Sequence, residues 1–306
     1  PEPEPEPEPE LEPAASVPLR NSRENFSYEP TRRERKALKR FYTHAAAGDV
    51  SLDHIDEGVA KAFCADKWPA RCDKMAMALL CYAERSASWP MGAQRSGTLK
   101  VASVGGGPAN DACGSFLFAS LVPGSCWNRV EATVFDFTPV WGPFCERIAG
   151  TALLSEMAAV LTDGPGPEQS ELEFALSFAL TDLRAPPSAA INQTLLLSHT
   201  PIADLFLFSH VVRESAACQH QLLPAILRGC KLGAVFVFLD MQWADLHTVQ
   251  ELVMRVEAED AAAAVAIAGP NGSEPAVLCP SARFEAMRVG ESQEYPLFGL
   301  VFRKLS

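Results

Sequence analysis

The spacing of hydrophobic positions changes near residue 97. Upstream, apolar residues recur at helical intervals. Thr31-Arg32-Arg33-Glu34 has the form of a capping box and opens a helix running toward Tyr42. Further helices are expected over 53–65 and 71–86, where Met75, Leu79, Leu80 and Tyr82 give the second an apolar side. No segment here alternates like a strand, so residues 31–96 read as a helical N-terminal cap. Downstream, short apolar runs alternate with helical stretches. Strands are expected at 99–104, 130–137, 171–181, 204–209 and 234–239, and helices at 112–121, 141–161, 219–231 and 245–258. Residues 260–268 are rich in Ala and fit no single element. Two closing strands, 282–289 and 297–304, have only the turn-like stretch 290–296 between them. Strands alternating with helices require right-handed crossovers and a parallel sheet, while a closing hairpin makes one strand antiparallel. The expected fold is therefore α/β: a doubly wound, mostly parallel seven-stranded sheet with an antiparallel C-terminal hairpin strand. It occupies residues 97–306.

Composition narrows this reading. The chain has 306 residues, is 48% hydrophobic and carries a formal net charge of −12. That length fits two domains of ~150 residues, or one large α/β domain with a cap. It buries roughly three quarters of its unfolded surface, so no disulfide or metal is needed for folding. The charge is unevenly spread. Residues 1–12 carry six Glu and no base, residues 20–40 carry eight Lys/Arg against three Glu, and the remainder holds −11. Five Pro-Glu repeats fill residues 1–10; they cannot build a core, and residues 1–30 are expected to form a disordered acidic tail and linker. An acidic body argues against broad binding to nucleic acid, which depends on phosphate neutralisation. The basic segment 32–40 keeps a local RNA contact open, although a basic helix is most often just a solvated face.

Nine Cys lie scattered with no Cys-x-x-Cys and no zinc-like Cys/His spacing, so no metal site is expected. Reduced, buried thiols fit a cytoplasmic or nuclear protein. No positively charged stretch followed by an apolar one opens the chain, although a start at Pro rather than Met leaves a removed leader open. The longest uncharged runs contain Pro or several polar residues, and no membrane span is expected.

The chemistry should lie where strands end, because open α/β sheets bind ligands beyond the carboxyl ends of their strands. Gly105-x-Gly107 lets the backbone turn sharply and approach a ligand. A dinucleotide fingerprint would need Gly at position 110, which is Asn, and Asp111 would repel a pyrophosphate. A ligand with little or no phosphate is expected. Asp136, 31 residues beyond Gly105, suits the two hydroxyls of a ribose. Asp182 could accept from an exocyclic amine such as adenine N6. Each Asp taken alone is equally a helix cap or a surface turn; in order on successive strand ends they form a set.

With these residues in place, the sequence resembles the class I, Rossmann-like, S-adenosylmethionine-dependent methyltransferases. Val101 to Ala109 is similar to their glycine-rich first motif, Asp136 to the acidic ribose ligand and Asp182 to the adenine-edge residue. Ser209-His210 matches the fourth-strand loop facing the transferred methyl. The resemblance covers about residues 98–304 and implies S-adenosyl-L-methionine as cofactor. Ser103 departs from it, since many members carry an acidic residue there to meet the methionine ammonium; Asp111 or a backbone carbonyl is a replacement. The Asp/Asn-Pro-Pro-Tyr/Phe motif of exocyclic-amine methyltransferases is absent, as is a Pro-Cys motif for cytosine C5. His210 is the candidate general base, with Glu214 four residues on; the bland alternatives are capping or packing for His210 and an ion pair with Arg213 or another base for Glu214. Trp141 either packs on an adenine or staples its helix. Two functions follow: a methyltransferase acting on an RNA base, a small molecule or a protein, or a non-catalytic descendant serving as an assembly subunit.

Overall fold

The computed structural model describes residues 29–46, 56–86, 97–122, 127–149, 172–212, 221–240, 243–268, 284–289 and 298–304. The Pro-Glu repeats, Glu214 and the turn at 290–296 lie outside the described residues. Seven strands form one sheet: β1 (Thr98–Val104), β2 (Arg129–Asp136), β3 (Glu173–Leu180), β4 (Leu205–Ser209), β5 (Val235–Asp240), β6 (Phe284–Val289) and β7 (Phe298–Lys304). Their order is β3-β2-β1-β4-β5-β7-β6. Neighbours among β1 to β5 pair in parallel. β7 is antiparallel to both β5 and β6, so six strands point one way and the C-terminal strand runs against them.

Every described residue of β4 and β5 is buried, as expected of central strands covered on both faces. The side-chain alternation divides them between two cores. Leu205, Leu207, Val235 and Val237 face one layer with residues of α3 (Trp68–Arg85), α4 (Asn110–Leu121) and α5 (Gly142–Ala149). Phe206, Phe208, Phe236 and Phe238 face the other, against α6 (Leu222–Gly229) and α7 (Trp243–Ala268). Register puts Phe206 opposite Phe236 and Phe208 opposite Phe238. Their rings stack at 4.6 and 4.5 Å. Each such pair adds about 0.5–1.5 kcal/mol beyond the area it buries.

The helices upstream of the sheet are tied to it. α1 (Arg32–Ala46) opens on the expected capping box: the Thr31 amide donates to Glu34 Oε2 at 2.7 Å, and the Glu34 amide to Thr31 Oγ1 at 3.3 Å. α2 (Glu57–Asp66) is capped by Asp56, whose carboxylate accepts from the Val59 amide at 2.8 Å. Leu38, Phe41, Val59 and Phe63 of these two helices close over Trp141 and Phe144. α3 shares the core of the sheet itself, with Met75 and Leu79 fully buried beside α4. The two helices meet at Gly114, where an added Cβ would stand 2.6 Å from the Cys72 carbonyl oxygen and 2.7 Å from Met75 Cβ. Only a hydrogen atom fits in that gap.

Several boundaries differ from expectation. α3 begins at Trp68, three residues early, because Pro69 in the first turn needs no amide partner. The helix expected over 141–161 opens as a 3-10 turn, Pro139–Trp141, and continues as α5 to Ala149; its remainder lies outside the described residues. The ambiguous 260–268 continues α7. A π-helical turn, Thr194–His199, went unpredicted in an uncharged stretch without helical spacing. Six described Cys are free thiols, five of them buried. Among the described residues no helix is long and apolar enough to cross a membrane.

Candidate functional site

β1 is flanked by β2 on one side and β4 on the other, so the connections leaving β1 and β4 diverge and open a crevice at their carboxyl ends. The glycine loop fills one wall. Gly105 has φ +67°, and an added Cβ would lie 2.5 Å from Val211 Cγ2. Its amide donates to the Phe135 carbonyl at 2.7 Å, tying the loop to β2. At Gly106 an added Cβ would strike Ser103 Oγ, so Ser103 lies buried beneath the loop with no hydrogen-bond partner. Gly107 follows at φ +51°, and Ala109 at φ +65° precedes α4 without a side-chain cap. The loop is held from outside as well, by the Trp68 indole donating to the Pro108 carbonyl at 2.9 Å.

Asp136, at the end of β2, is buried and aimed back at this loop. Its Oδ2 accepts from the Gly107 amide at 3.1 Å and its Oδ1 from the Thr138 amide at 2.9 Å. Burial pushes its carboxyl up to about 6, against the pull of these amides. A carboxylate accepts about four hydrogen bonds, so capacity for two hydroxyls remains. Trp141 stands beside Gly107, 3.9 Å from where a Cβ would be. It also packs against Phe63 and Phe144 at 5.7 and 5.9 Å, which makes it a staple that borders the loop.

Asp111, in the first turn of α4, is fully buried. Its Oδ1 accepts from Asn110, while Oδ2 has no hydrogen-bond partner. Burial drives the carboxyl up to about 7, opposed by Arg71, Ser209 and Asn110. Ser209 ends β4 and is buried. His210 follows with φ +59°, its amide donating to the Leu239 carbonyl at 2.7 Å. Burial holds the imidazole well below its ordinary value, and the nearby Arg71 and Lys74 push it the same way. His210 is therefore neutral near pH 7, able to accept a proton but a weaker base than an exposed histidine.

Asp182 lies at the carboxyl end of β3, where the sequence places it, but its carboxylate is occupied. Arg184 grips both oxygens, Nε to Oδ1 at 2.9 Å and Nη2 to Oδ2 at 3.1 Å. That bond pulls the carboxyl below its ordinary range in spite of partial burial. Arg184 also covers the Phe137 ring at 4.5 Å. A free acceptor for an amine is thus not what the side chain presents. The loop is locked by Asn192, whose Oδ1 accepts from the Asp182 amide at 3.1 Å and whose Nδ2 donates to three carbonyls.

Of the residues expected in the site, Gly107 and Asp136 are joined by a hydrogen bond, Gly105 is tied to the end of β2 beside them, and Asp111 and Ser209 come together, with His210 next along the chain. Thr138, Trp68, Arg71 and Asn192 were not foreseen. Thr138 follows Asp136 at the spacing of an Asx turn, a legible signal; the other three depend on how distant segments dock. Among the described residues no group of His, Cys, Asp and Glu could hold a metal ion.

No protein-family description matches the chain, and no curated protein does. Solved structures do. The N-methyltransferase NodS from Bradyrhizobium japonicum, in complex with S-adenosyl-L-homocysteine, is 15% identical; the match covers 81% of this chain and 97% of that one at a TM-score of 0.39. The CurJ carbon methyltransferase is 11% identical, with 95% and 72% covered and a TM-score of 0.43. Human N-acetylserotonin methyltransferase, in complex with SAM, is 16% identical, with 87% and 67% covered and a TM-score of 0.34. These three solved structures are methyltransferases.

Proposed function

We propose that this protein is an S-adenosyl-L-methionine-dependent methyltransferase. The observation that carries the proposal is the Gly107 amide–Asp136 bond, which joins the left-handed glycine loop and the acidic end of β2 into a single cradle. The residues present fit this cofactor. A Cβ on Gly105 would strike Val211, so the close turn needs glycine there, whereas beside Gly107 the nearest atoms, from Trp141, stand 3.9 Å from a Cβ, and the buried Asp111 Oδ2 has no hydrogen-bond partner. Asp136 would hold the ribose, the glycine loop would lie against the sugar and sulfur, and Asp111 would supply the negative charge for the ammonium. When bound, the cofactor supplies an electrophilic methyl on a sulfonium, displaced in line by a nucleophile of the acceptor.

The chain's own contribution is alignment and proton handling. Ser209 and His210 end the strand next to the glycine loop, so an acceptor atom entering over β4 would meet His210. The neutral imidazole takes the acceptor's proton where one must leave. Glu214 remains a proposed helper to that base. The acceptor is an RNA base, a small molecule or a protein. For RNA, α1 gives support: Leu38 and Phe41 are buried, while Arg32, Arg33, Lys36, Lys39 and Arg40 face solvent.

Asp136→Ala is expected to weaken S-adenosylhomocysteine binding at least tenfold, about 1.4 kcal/mol, by titration calorimetry. Unchanged affinity would move the ribose elsewhere. His210→Ala should cut label transfer from tritiated S-adenosylmethionine at least tenfold while cofactor affinity holds. Wild-type turnover would remove the base role. Cofactor binding without transfer to any lysate fraction would favour the assembly subunit instead.

A further inference from the structure

α1 carries charge that the fold leaves unbalanced. Residues 32–43 hold six Lys/Arg and one acid, Glu34. At roughly 100° per residue, Arg32, Arg33, Arg35, Lys36, Lys39 and Arg40 fan over an arc of roughly 160°, opposite the side that buries Leu38 and Phe41. All six are exposed. Glu34 falls on the inner side, where it closes the capping box with Thr31 and lies against Gly58. The outward arc therefore presents cations alone. Arg35 stands 4.0 Å from Glu29 and 3.9 Å from Asp66; among the described residues the other five make no ion pair.

A merely solvated helix face balances its charges, as the other surface helices here do. α2 sets Glu57 against Lys61 at 2.8 Å, α7 sets Arg255 against Glu259, and Arg228 of α6 is held by Glu259 and Asp260. α1 does the reverse. Arg32–Lys36, Lys36–Arg40 and Arg35–Lys39 are like charges one turn apart, and each pair weakens the helix. Beyond residue 40 the chain carries −11, so this cationic arc stands on an acidic body. Between Arg32 and Arg40 the arc holds no aromatic or aliphatic side chain, because Leu38 packs inward with Val59, Phe63, Trp141 and Phe144. A membrane-surface helix needs a free apolar face for insertion, and a protein interface needs apolar anchors at its centre. Phosphate contacts need only positioned cations.

We infer that the outward face of α1 docks the phosphate backbone of an RNA methyl acceptor, held as a single strand. A single strand meets the arc with one row of phosphates, whereas a duplex brings a second row toward the acidic body. The cluster beneath α1 includes Trp141, which borders Gly107, so the face flanks the crevice. Two further cations rest on rings of that cluster, Arg71 on Phe63 at 4.8 Å and Arg147 on Phe144 at 4.3 Å. The RNA's role as acceptor rests on the methyl-transfer reading given above; the docking itself needs no cofactor.

Fluorescence anisotropy with a labelled oligouridylate of about 20 nucleotides, from about 50 to about 200 mM salt and without cofactor, tests the docking. Wild type is expected to bind, with affinity falling steeply as salt rises. Arg32→Gln, Lys36→Gln, Lys39→Gln and Arg40→Gln together should weaken binding at least tenfold at the lower salt. They should also flatten the log–log salt slope by about 2 to 3, at about 0.7 per lost contact. These changes remove repulsion along α1, so the variant stays folded. Arg228→Gln with Arg255→Gln, cations already paired with acids, should leave RNA affinity within about threefold of wild type. Equal weakening by both sets marks net charge rather than a docking face and overturns the proposal. Unchanged affinity in the fourfold variant, or no binding by wild type at the lower salt, does the same. Tighter binding of the duplex with oligoadenylate, or of a poly-Glu peptide of equal length, assigns the face to another polyanion and also overturns it. S-adenosylhomocysteine titration of the same protein reads the other half: RNA bound without it overturns the methyl-transfer reading, and its binding without RNA overturns the docking alone.

Discussion

Asp111→Asn should stabilise the protein above neutral pH while weakening its hold on the cofactor. The Asp111 carboxyl rises from an ordinary 3.8 to about 7 because burial penalises its charge. A folded-state value above the unfolded one means the stabilising contribution is complete below pH ~4 and is lost as pH rises toward ~7. Three units correspond to about 4 kcal/mol at pH 8, shrinking below about 1 kcal/mol at pH 4. Asn keeps the shape and never ionises, so it should recover most of that loss at pH 8 and almost none at pH 4. Urea unfolding at the two pH values reads the difference directly. Asp73 and Asp136, both pushed up to about 6 by burial, tilt wild type and variant alike and cancel in the comparison. An Asn variant with equal stability changes at both pH values would show that Asp111 is not buried as a charge. Stability and binding moving in opposite directions is the signature of a group retained for its ligand.

The second large effect concerns Gly105→Ala. The residue has φ +67°, and its new methyl would sit 2.5 Å from Val211 Cγ2. Left-handed backbone costs an alanine ~1–2 kcal/mol, and overpacking typically adds ~1–3 kcal/mol. A loss of about 3 kcal/mol is expected in denaturant unfolding. Displacing the loop also carries the Gly107 amide away from Asp136, so S-adenosylhomocysteine affinity should fall together with stability. Val211→Ala in the same chain removes the collision but not the backbone strain, and should restore part of the loss. A Gly105→Ala protein as stable as wild type would mean the loop has room that the geometry denies.

What the sequence made legible follows period and punctuation. Strand 234–239 is readable as an unbroken apolar run ended by Asp240, and strands 99–104 and 130–137 as short, mostly apolar runs that end at Gly105 and Asp136. Gly105, Gly107 and Asp136 were readable because a sharp turn and a strand-end carboxylate each leave a local mark, and they meet through one hydrogen bond. Asp182 was read correctly in position and not in environment: Arg184, two residues on, folds back and holds both its oxygens. Nothing local separates that from an open acceptor. Arg71 was invisible for a different reason. Helical spacing shows which residues share a face of α3, but where that face docks is decided by Gly114 and by the Trp68–Pro108 bond, both contacts between distant segments. The continuation of α7 through an Ala-rich stretch and the π-helical turn before β4 likewise depend on packing rather than on period.

The central claim is that the crevice at the ends of β1 and β4 binds S-adenosylmethionine. Titration calorimetry of the wild-type chain with S-adenosylhomocysteine tests it most directly. Saturable one-to-one binding is the predicted result; no detectable heat of binding at millimolar ligand would contradict it.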